Sequence, residues 1–220
     1  MSQGPARLDL RATVPDRPAL APAVEHLLRG GILAYPTETV YGFGGRCDPH
    51  GVGLVRRVKR REEAKPLLVL VRHADEVAGL RWTEGARELA RIFWPGSLTL
   101  VLEDPDGIFP VGVRSGTGTV AVRVSPHPVV GLLLEGVDGP LTSTSANAPG
   151  RPAARSGEEA LAAAVSLDVG DEMMVVDVGL LPASPSSTLV DCTGPEPVVV
   201  REGTVPLHRL RCALPGIHGV

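Results

Sequence analysis

Residues 36–45 read PTETVYGFGG and follow the apolar run ILAY at residues 32–35. The apolar run predicts a buried strand, and the glycine-rich stretch after it allows the backbone to come close to a ligand. Threonine hydroxyls in this stretch can donate or accept hydrogen bonds. Because glycine and threonine are also common in turns, two interpretations stay open: a plain strand-to-turn connection, or one wall of a binding site.

Apolar spacing outside this stretch predicts helices and short strands in irregular alternation. Pro22 is suited to the start of a helix, and Ser156-x-x-Glu159 is a capping-box pattern for a later one. Two more helices are expected at residues 54–58 and 86–93. Short branched apolar runs predict strands at residues 32–35, 67–71, 98–102, 119–124, 173–176, 188–190 and 198–200. Since the alternation is not strict, we expect an α/β (mixed α+β) fold with helices packed on a mixed sheet.

The composition indicates one globular unit. The 220 residues are 43% apolar, which is enough for a core but short for two full domains, so residues 1–220 are expected to form a single domain. The ends, residues 1–15 and 211–220, are expected from composition to be loosely ordered. A formal net charge of −3 gives no chain-wide positive field for nucleic acid or anionic lipid, so any anion site must be local.

The expected location follows from targeting signals and cysteine usage. The N-terminal residues contain no apolar stretch of signal-peptide length, and the longest apolar run, residues 67–71, is far too short to span a membrane. Cys47, Cys192 and Cys212 are odd in number and widely spaced, which suits a reducing compartment. We therefore expect a cytoplasmic protein with no membrane partner.

A cluster of positive charge precedes the strand at residues 67–71. Residues 56–65 read RRVKRREEAK, with six basic and two acidic side chains. Arginine can bind phosphate in a fork and lysine acts as a point charge, so the segment suits a polyphosphate. A solvated helix face with Arg–Glu pairs explains the same composition. Lys59 and Arg61 differ from the other basic residues because they flank the entry to the strand.

Further segments offer polar groups next to predicted strands. Residues 142–150 read TSTSANAPG, residues 186–188 read SST and residues 201–203 read REG. Each is weak alone and compatible with an ordinary polar loop. Arg123 is more informative, because it interrupts the apolar strand at residues 119–124 and an unpaired buried guanidinium would be costly. The side chain either reaches the surface or meets an anion.

Several common nucleotide, hydrolase and metal motifs do not occur in the sequence. There is no GxxxxGK[ST] P-loop, Gly42-x-Gly44 lacks the third glycine of the dinucleotide fingerprint, and no GxSxG marks a hydrolase nucleophile. The six histidines form no HExxH motif and have no cysteine partners at zinc spacing. We therefore assign no metal ligand from the protein.

Taken in order, these segments resemble the single-domain YrdC-like family of threonylcarbamoyl-AMP synthases. The resemblance spans about residues 30–203. Its signals are PTETxYG from residue 36, Lys59-x-Arg61 with Lys65, Trp94-Pro95-Gly96, Arg123 within residues 120–124, Ser145-x-Asn147, Ser187-Thr188 and Arg201-Glu202-Gly203. The family implies a strongly twisted sheet of parallel and antiparallel strands, with helices around a basic cavity. Longer members add a C-terminal domain, which we do not expect here.

The resemblance implies synthesis of threonylcarbamoyl-AMP from L-threonine, bicarbonate or carbon dioxide, and ATP, with release of pyrophosphate. Mg²⁺ would accompany the ATP, and no organic cofactor is expected. The product would serve N6-threonylcarbamoylation of adenosine 37 in tRNA, with the transfer done by separate partner proteins. Since the reaction joins two anions, positive charge and positioning should matter more than a protein nucleophile.

The resemblance also assigns site residues. The catalytic group would comprise Lys59, Arg61, Ser145 and Asn147. ATP would contact Arg61, Lys65, Thr119, Ser145, Asn147 and Arg201. L-threonine would contact Thr39, Arg123, Ser143 and Ser187, supported by Thr37 and Tyr41, and Arg123 would hold the amino-acid carboxylate in a two-pronged contact.

Two residues depart from the family pattern. Leu70 stands where many relatives have a histidine, so we expect the threonine side of the pocket to be built differently. Ser97 stands where a second proline is usual after Pro95-Gly96, which we interpret as local turn variation.

Two other functions stay open from the sequence. One is an RNA-binding factor for tRNA or ribosome maturation that binds tRNA or double-stranded RNA in the basic cavity. An aromatic content of 3% disfavours base stacking but not recognition of shape and phosphates. The other is a carbamoyl-adenylate enzyme with a different acceptor. Salt-dependent tRNA binding that ATP does not weaken would favour the first of these.

Overall fold

Eleven strands form one sheet in the part of the chain that the computed structural model describes, residues 4–60 and 65–219. They are β1 (Ala6–Asp9), β2 (Ile32–Pro36), β3 (Tyr41–Gly44), β4 (Leu68–Leu70), β5 (Leu98–Glu103), β6 (Thr119–Arg123), β7 (Leu141–Ser145), β8 (Met173–Asp177), β9 (Thr188–Asp191), β10 (Val198–Arg201) and β11 (His218–Gly219). Their order across the sheet is β1-β8-β2-β3-β7-β4-β6-β5-β9-β10-β11. The seven predicted strands are among them.

Parallel and antiparallel pairs are mixed in this sheet. The strand β2 runs antiparallel to β3 and parallel to β8, while β4 runs parallel to β6 and antiparallel to β7. The predicted α/β fold with a mixed sheet is confirmed.

Six α-helices accompany the sheet in the described residues. They are α1 (Arg17–Leu28), α2 (Pro49–Lys59), α3 (Glu84–Phe93), α4 (Pro128–Val137), α5 (Gly157–Ser166) and α6 (Leu207–Ala213). The predicted cap at Ser156 is confirmed, because its hydroxyl accepts from the Glu159 amide at 3.1 Å. The predicted helix start at Pro22 is wrong. Asp16 accepts from the Ala19 amide at 2.8 Å and begins α1 earlier, so that Pro22 lies inside the helix.

The two faces of the sheet have different cores. Ile32 of β2 belongs to an apolar cluster with residues of α2, α3 and α5, whereas Tyr35 belongs to a second cluster with residues of α1 and α4. Leu70 of β4 also lies in the second cluster and is paired across the strands with Arg123 of β6. Because paired residues point to the same side of a sheet, Arg123 faces the side that α1 and α4 cover.

Both ends of the described chain contain strand residues. The strand β1 pairs in parallel with β8, and β11 pairs in parallel with β10. The expectation that residues 1–15 and 211–220 are loosely ordered stays a prediction. In the described ranges no helix is long and apolar enough to cross a membrane.

Candidate functional site

A cavity of about 360 Å³ lies on the same side of the sheet as Arg123. Its wall is made of hydroxyl groups, one amide, two guanidinium groups and a few apolar side chains. The lining residues are Thr37, Thr39, Val40, Gly42, Pro66, Leu68, Thr99, Ala121, Arg123, Ser143, Thr144, Ser145, Asn147, Ala153, Ser186, Ser187, Leu189 and Arg201. No acidic side chain is among these described residues, so the cavity suits an anionic ligand.

The turn between β2 and β3 forms one wall. The Thr37 hydroxyl donates to the Val40 carbonyl at 2.7 Å and lies 3.1 Å from the Thr39 hydroxyl. Both threonines are buried and line the cavity. The stretch PTETVYGFGG therefore lines the cavity as well as connecting two strands.

Arg123 supplies a buried positive charge to the cavity. Alternation along β6 places it on the same face as Ala121, and its side chain is only 4% exposed. Its NH1 atom lies 3.4 Å from a Glu38 carboxylate oxygen, while its Nε atom has no hydrogen-bond partner among the described residues. Burial lowers the pKa of Arg123, and the Glu38 charge opposes that change. A buried donor left without a partner is costly, so a ligand anion is the expected partner.

The loop after β7 is held by a lysine from α2. The Lys59 ammonium donates to the carbonyl oxygens of Ser145 at 2.9 Å and Asn147 at 2.6 Å, and to the Asn147 side-chain oxygen at 2.7 Å. The ammonium also lies 5.7 Å from the centre of the Phe43 ring. Lys59 itself does not line the cavity, so it positions Ser145 and Asn147, which do.

The far wall comes from β9 and β10. The Ser187 hydroxyl lies 2.9 Å from the Thr99 hydroxyl, and the Arg201 guanidinium donates to the Ser187 carbonyl at 2.8 Å. Burial lowers the pKa of Arg201. The cavity thus has a guanidinium on each of two sides.

Most of the predicted site residues meet in this one cavity. Those that line it are Thr37, Thr39, Arg123, Ser143, Ser145, Asn147, Ser187 and Arg201. Thr119 shares the face of Ala121 but lies beyond the lining, where its hydroxyl is 2.8 Å from that of Ser115. Lys65 is exposed and next to the lining residue Pro66. Arg61 lies outside the described residues.

Tyr41 lies outside the cavity lining. Its hydroxyl donates to the Gly179 carbonyl at 2.9 Å and accepts from the Val178 amide at 3.0 Å. Burial raises the pKa of this hydroxyl to about 12. In the structure Tyr41 therefore ties β3 to the loop after β8, and its supporting role in the site stays a prediction.

Three contacts around the cavity were not predicted from the sequence. Glu38 lies between the two threonines of the turn and pairs with Arg123. Thr99 lines the cavity from β5, and its position as the one polar residue within an apolar run was the available signal. The Ser97 hydroxyl donates to the Glu38 carboxylate at 3.0 Å. The serine at position 97 therefore contacts a residue of the cavity turn, which is more than local turn variation.

Leu70 is fully buried and packs in the apolar cluster of α1 and α4. Its neighbour on the same face, Leu68, lines the cavity. The position at which the family pattern has a histidine is therefore occupied by an apolar side chain inside an apolar cluster.

Metal ligands from the protein are not apparent. No group of three or more His, Cys, Asp or Glu side chains that could hold a metal occurs within residues 4–60 and 65–219.

A larger cavity of about 650 Å³, lined by Trp82, Trp94 and several prolines, contains none of the predicted site residues.

Comparisons with known proteins identify the family of this chain. Residues 25–203 match a family model named Sua5_yciO_yrdC, described as telomere recombination. A Mycobacterium tuberculosis protein provisionally named threonylcarbamoyl-AMP synthase is 37% identical over 193 residues, which cover 86% of this chain and 85% of that protein. The Bacillus subtilis threonylcarbamoyl-AMP synthase is 32% identical over 205 residues, which cover 91% of this chain and 58% of that protein.

A solved structure shares the fold. Pyrococcus abyssi Sua5, described as complexed with L-threonine, superposes with a TM-score of 0.86 at 28% identity. The match covers 100% of this chain and 63% of that one. The chain therefore spans less than two thirds of the length of both the Bacillus and the Pyrococcus proteins.

Proposed function

Because the chain belongs to the Sua5/YciO/YrdC family, we propose that it is a threonylcarbamoyl-AMP synthase. It is an enzyme of the nucleotidyltransferase type, as its relatives' names indicate. Its substrates would be L-threonine, bicarbonate or carbon dioxide, and ATP, and its products threonylcarbamoyl-AMP and pyrophosphate. The observation that carries the proposal is the buried Arg123 in a hydroxyl-lined cavity. Among the described residues its Nε atom has no hydrogen-bond partner and no acidic side chain lines the cavity.

The threonine side of the site is built from neutral hydroxyls around one guanidinium. Arg123 would hold the amino-acid carboxylate, because a planar guanidinium can offer two parallel donors to two oxygens. Thr39, Ser143 and Ser187 offer hydroxyls around that position. Apolar lining residues such as Leu68 and Leu189 offer contact for a methyl group.

The nucleotide side would take its charge from several cations. Arg201 lines the cavity, and Lys65 lies beside it. Ser145 and Asn147 would contact the nucleotide, with Lys59 holding their loop in place. Thr119 and Arg61 complete the proposed nucleotide contacts. Mg²⁺ would enter with ATP and share in neutralising the phosphate charge.

The reaction needs positioning more than a protein nucleophile. The threonine amine loses a proton and forms a C–N bond to carbon dioxide, which gives a carbamate. A carbamate oxygen then attacks the α-phosphorus of ATP, and pyrophosphate leaves with the electrons of the broken P–O bond. Holding two anionic reactants in contact requires cations on both sides, which Arg123 and Arg201 offer.

The product would feed the N6-threonylcarbamoylation of adenosine 37 in tRNA. A mixed anhydride of a carbamate and AMP is an activated acyl donor, and separate partner proteins would transfer its acyl group to tRNA.

The test is pyrophosphate release from ATP and bicarbonate, measured with each common amino acid in turn. We expect release with threonine, together with a nucleotide product of the mass of threonylcarbamoyl-AMP. Release with a different amino acid would keep the reaction type and change the substrate. If folded protein releases no pyrophosphate with any amino acid, the proposed function is wrong.

A further inference from the structure

Glu38 lies in the turn that forms one wall of the cavity but does not itself line the cavity. Its two neighbours, Thr37 and Thr39, do. The Glu38 side chain is 15% exposed and makes its contacts behind the turn. A carboxylate in this position would be costly unless several donors satisfied it.

Two hydroxyl donors and one guanidinium surround this carboxylate. The Ser97 hydroxyl, just before β5, donates to Oε1 at 3.0 Å, and the Ser125 hydroxyl, just after β6, donates to Oε2 at 2.6 Å. The Arg123 NH1 atom lies 3.4 Å from Oε1. Glu38 is therefore fixed from two sides and is itself placed against the guanidinium.

We propose that Glu38 is a positioning residue for the amino-acid carboxylate and acts through Arg123. This inference rests on the proposed function, because it assigns Arg123 to the carboxylate of the substrate. A guanidinium is planar, so holding NH1 against a fixed carboxylate restricts the plane in which the other donors lie. The Nε atom, which has no partner among the described residues, belongs to that plane.

Ser97 connects the Glu38 carboxylate to the start of β5. Here the hydroxyl binds the same carboxylate oxygen that lies nearest to Arg123. We expect the Ser97 hydroxyl to keep the Glu38 carboxylate oriented towards Arg123.

The effect of removing the Glu38 charge distinguishes two roles. If Glu38 only neutralised Arg123, its loss would strengthen the attraction of Arg123 for a carboxylate and threonine would bind more tightly. If Glu38 positions Arg123, its loss leaves the guanidinium in several orientations and threonine binds more weakly. The sign of the change therefore decides between them.

The experiment compares Glu38→Gln, Ser97→Ala and the exposed-site control Ser166→Ala in the full chain. The KM for threonine and for ATP is measured by pyrophosphate release, and the Kd for L-threonine by calorimetry. We expect Glu38→Gln to raise the threonine KM and Kd roughly tenfold and Ser97→Ala about threefold, since each removes a contact to a charged group. The ATP KM and the control should stay at the wild-type values.

A double-mutant cycle with Arg123→Lys tests whether Glu38 acts through Arg123. In the Arg123→Lys background, Glu38→Gln should have little further effect on threonine binding, because the planar group that it orients is gone. Tighter threonine binding in Glu38→Gln, an unchanged Kd, or full additivity in the cycle would overturn the proposal.

Failure of the proposed function would look different. An unmodified protein that binds threonine but releases no pyrophosphate would refute the synthase function and leave the calorimetric test of Glu38 intact. An unmodified protein that binds no threonine would overturn both. If Glu38→Gln does not fold, as judged by circular dichroism, the milder Ser97→Ala variant decides.

Discussion

The Lys59 ammonium donates to both the backbone and the side-chain oxygen of Asn147, at 2.6 and 2.7 Å. The same ammonium reaches the Ser145 carbonyl, so one side chain from the end of α2 fixes the loop after β7. Lys59 is buried, and the loop it holds lines the cavity. Lys59 belongs to the basic segment at residues 56–65, whose composition suits a polyphosphate. In the structure it also holds the loop that we propose to contact the nucleotide.

Replacing Lys59 by methionine should loosen this loop. Lys59→Met keeps the length of the side chain but leaves three oxygens without their donor, which costs about 1–3 kcal/mol of stability or binding. We expect the KM for ATP to rise roughly tenfold, with a smaller effect on threonine. The control is Arg57→Ala. Arg57 lies on the same helix as Lys59, and the change removes its exposed ion pair with Glu172. An ATP KM that is equal in the two variants would contradict the positioning role.

The sequence separation between contacting residues determines how much of the site could be predicted from the sequence. Thr37 and Ser187 adjoin apolar runs, so their places beside β2 and β9 follow from local pattern. Their convergence does not, because it depends on the strand order of the sheet, and the family resemblance supplied it. The contacts of Glu38 are still harder to predict from the sequence, because its partners Ser97 and Ser125 lie 59 and 87 positions away in the chain.

Local pattern also failed for some elements of the fold. The residues of α4 read PVVGLLLEGV, in which Glu135 is the one charged residue, so the sequence shows little of the polar face that indicates a surface helix. The helix buries one side, with Val129, Val130 and Leu133 fully covered, while Glu135 lies on its exposed side. The strand β1 reads ARLD and is recognisable only through its pairing with β8.

Two glycines should respond to alanine in opposite directions. A Cβ at Gly44 would lie 1.9 Å from the Thr142 carbonyl oxygen, where β3 and β7 are adjacent, so Gly44→Ala should destabilise the protein by about 3 kcal/mol. Gly53 is exposed within α2, and a Cβ there meets nothing within 4 Å. Gly53→Ala should stabilise by about 1 kcal/mol through helix propensity. Urea unfolding of both variants gives the comparison, and a loss of stability in Gly53→Ala would contradict the assigned helix.

Acid should weaken the fold through His127. This residue begins α4, where its Nδ1 atom accepts from the Val129 amide at 3.3 Å. Burial lowers the pKa of His127 below its ordinary value of 6.5, and the nearby charge of Glu38 opposes this change. Because the unfolded chain takes up the proton first, the free energy of unfolding should fall as the pH drops below 6.5, until the folded pKa is reached. His127→Asn keeps a capping group without a titration, and its unfolding should depend less on pH in that window. Equal pH profiles for the two proteins would show that His127 does not titrate there.

Arg61 gives the most direct test of the phosphate assignment, although it lies outside the described residues. The assignment comes from the Lys59-x-Arg61 pattern, and the structure places Lys59 beside the cavity loop and Lys65 next to a lining residue. Because a guanidinium can bridge phosphate oxygens that alanine cannot contact, Arg61→Ala should nearly abolish pyrophosphate release while the circular dichroism spectrum stays unchanged. The matched control is Arg60→Ala, which removes an exposed neighbouring charge at the end of α2 and should keep most of the activity. Equal activity in the two variants would remove Arg61 from the nucleotide site and leave Arg201 as its principal cation.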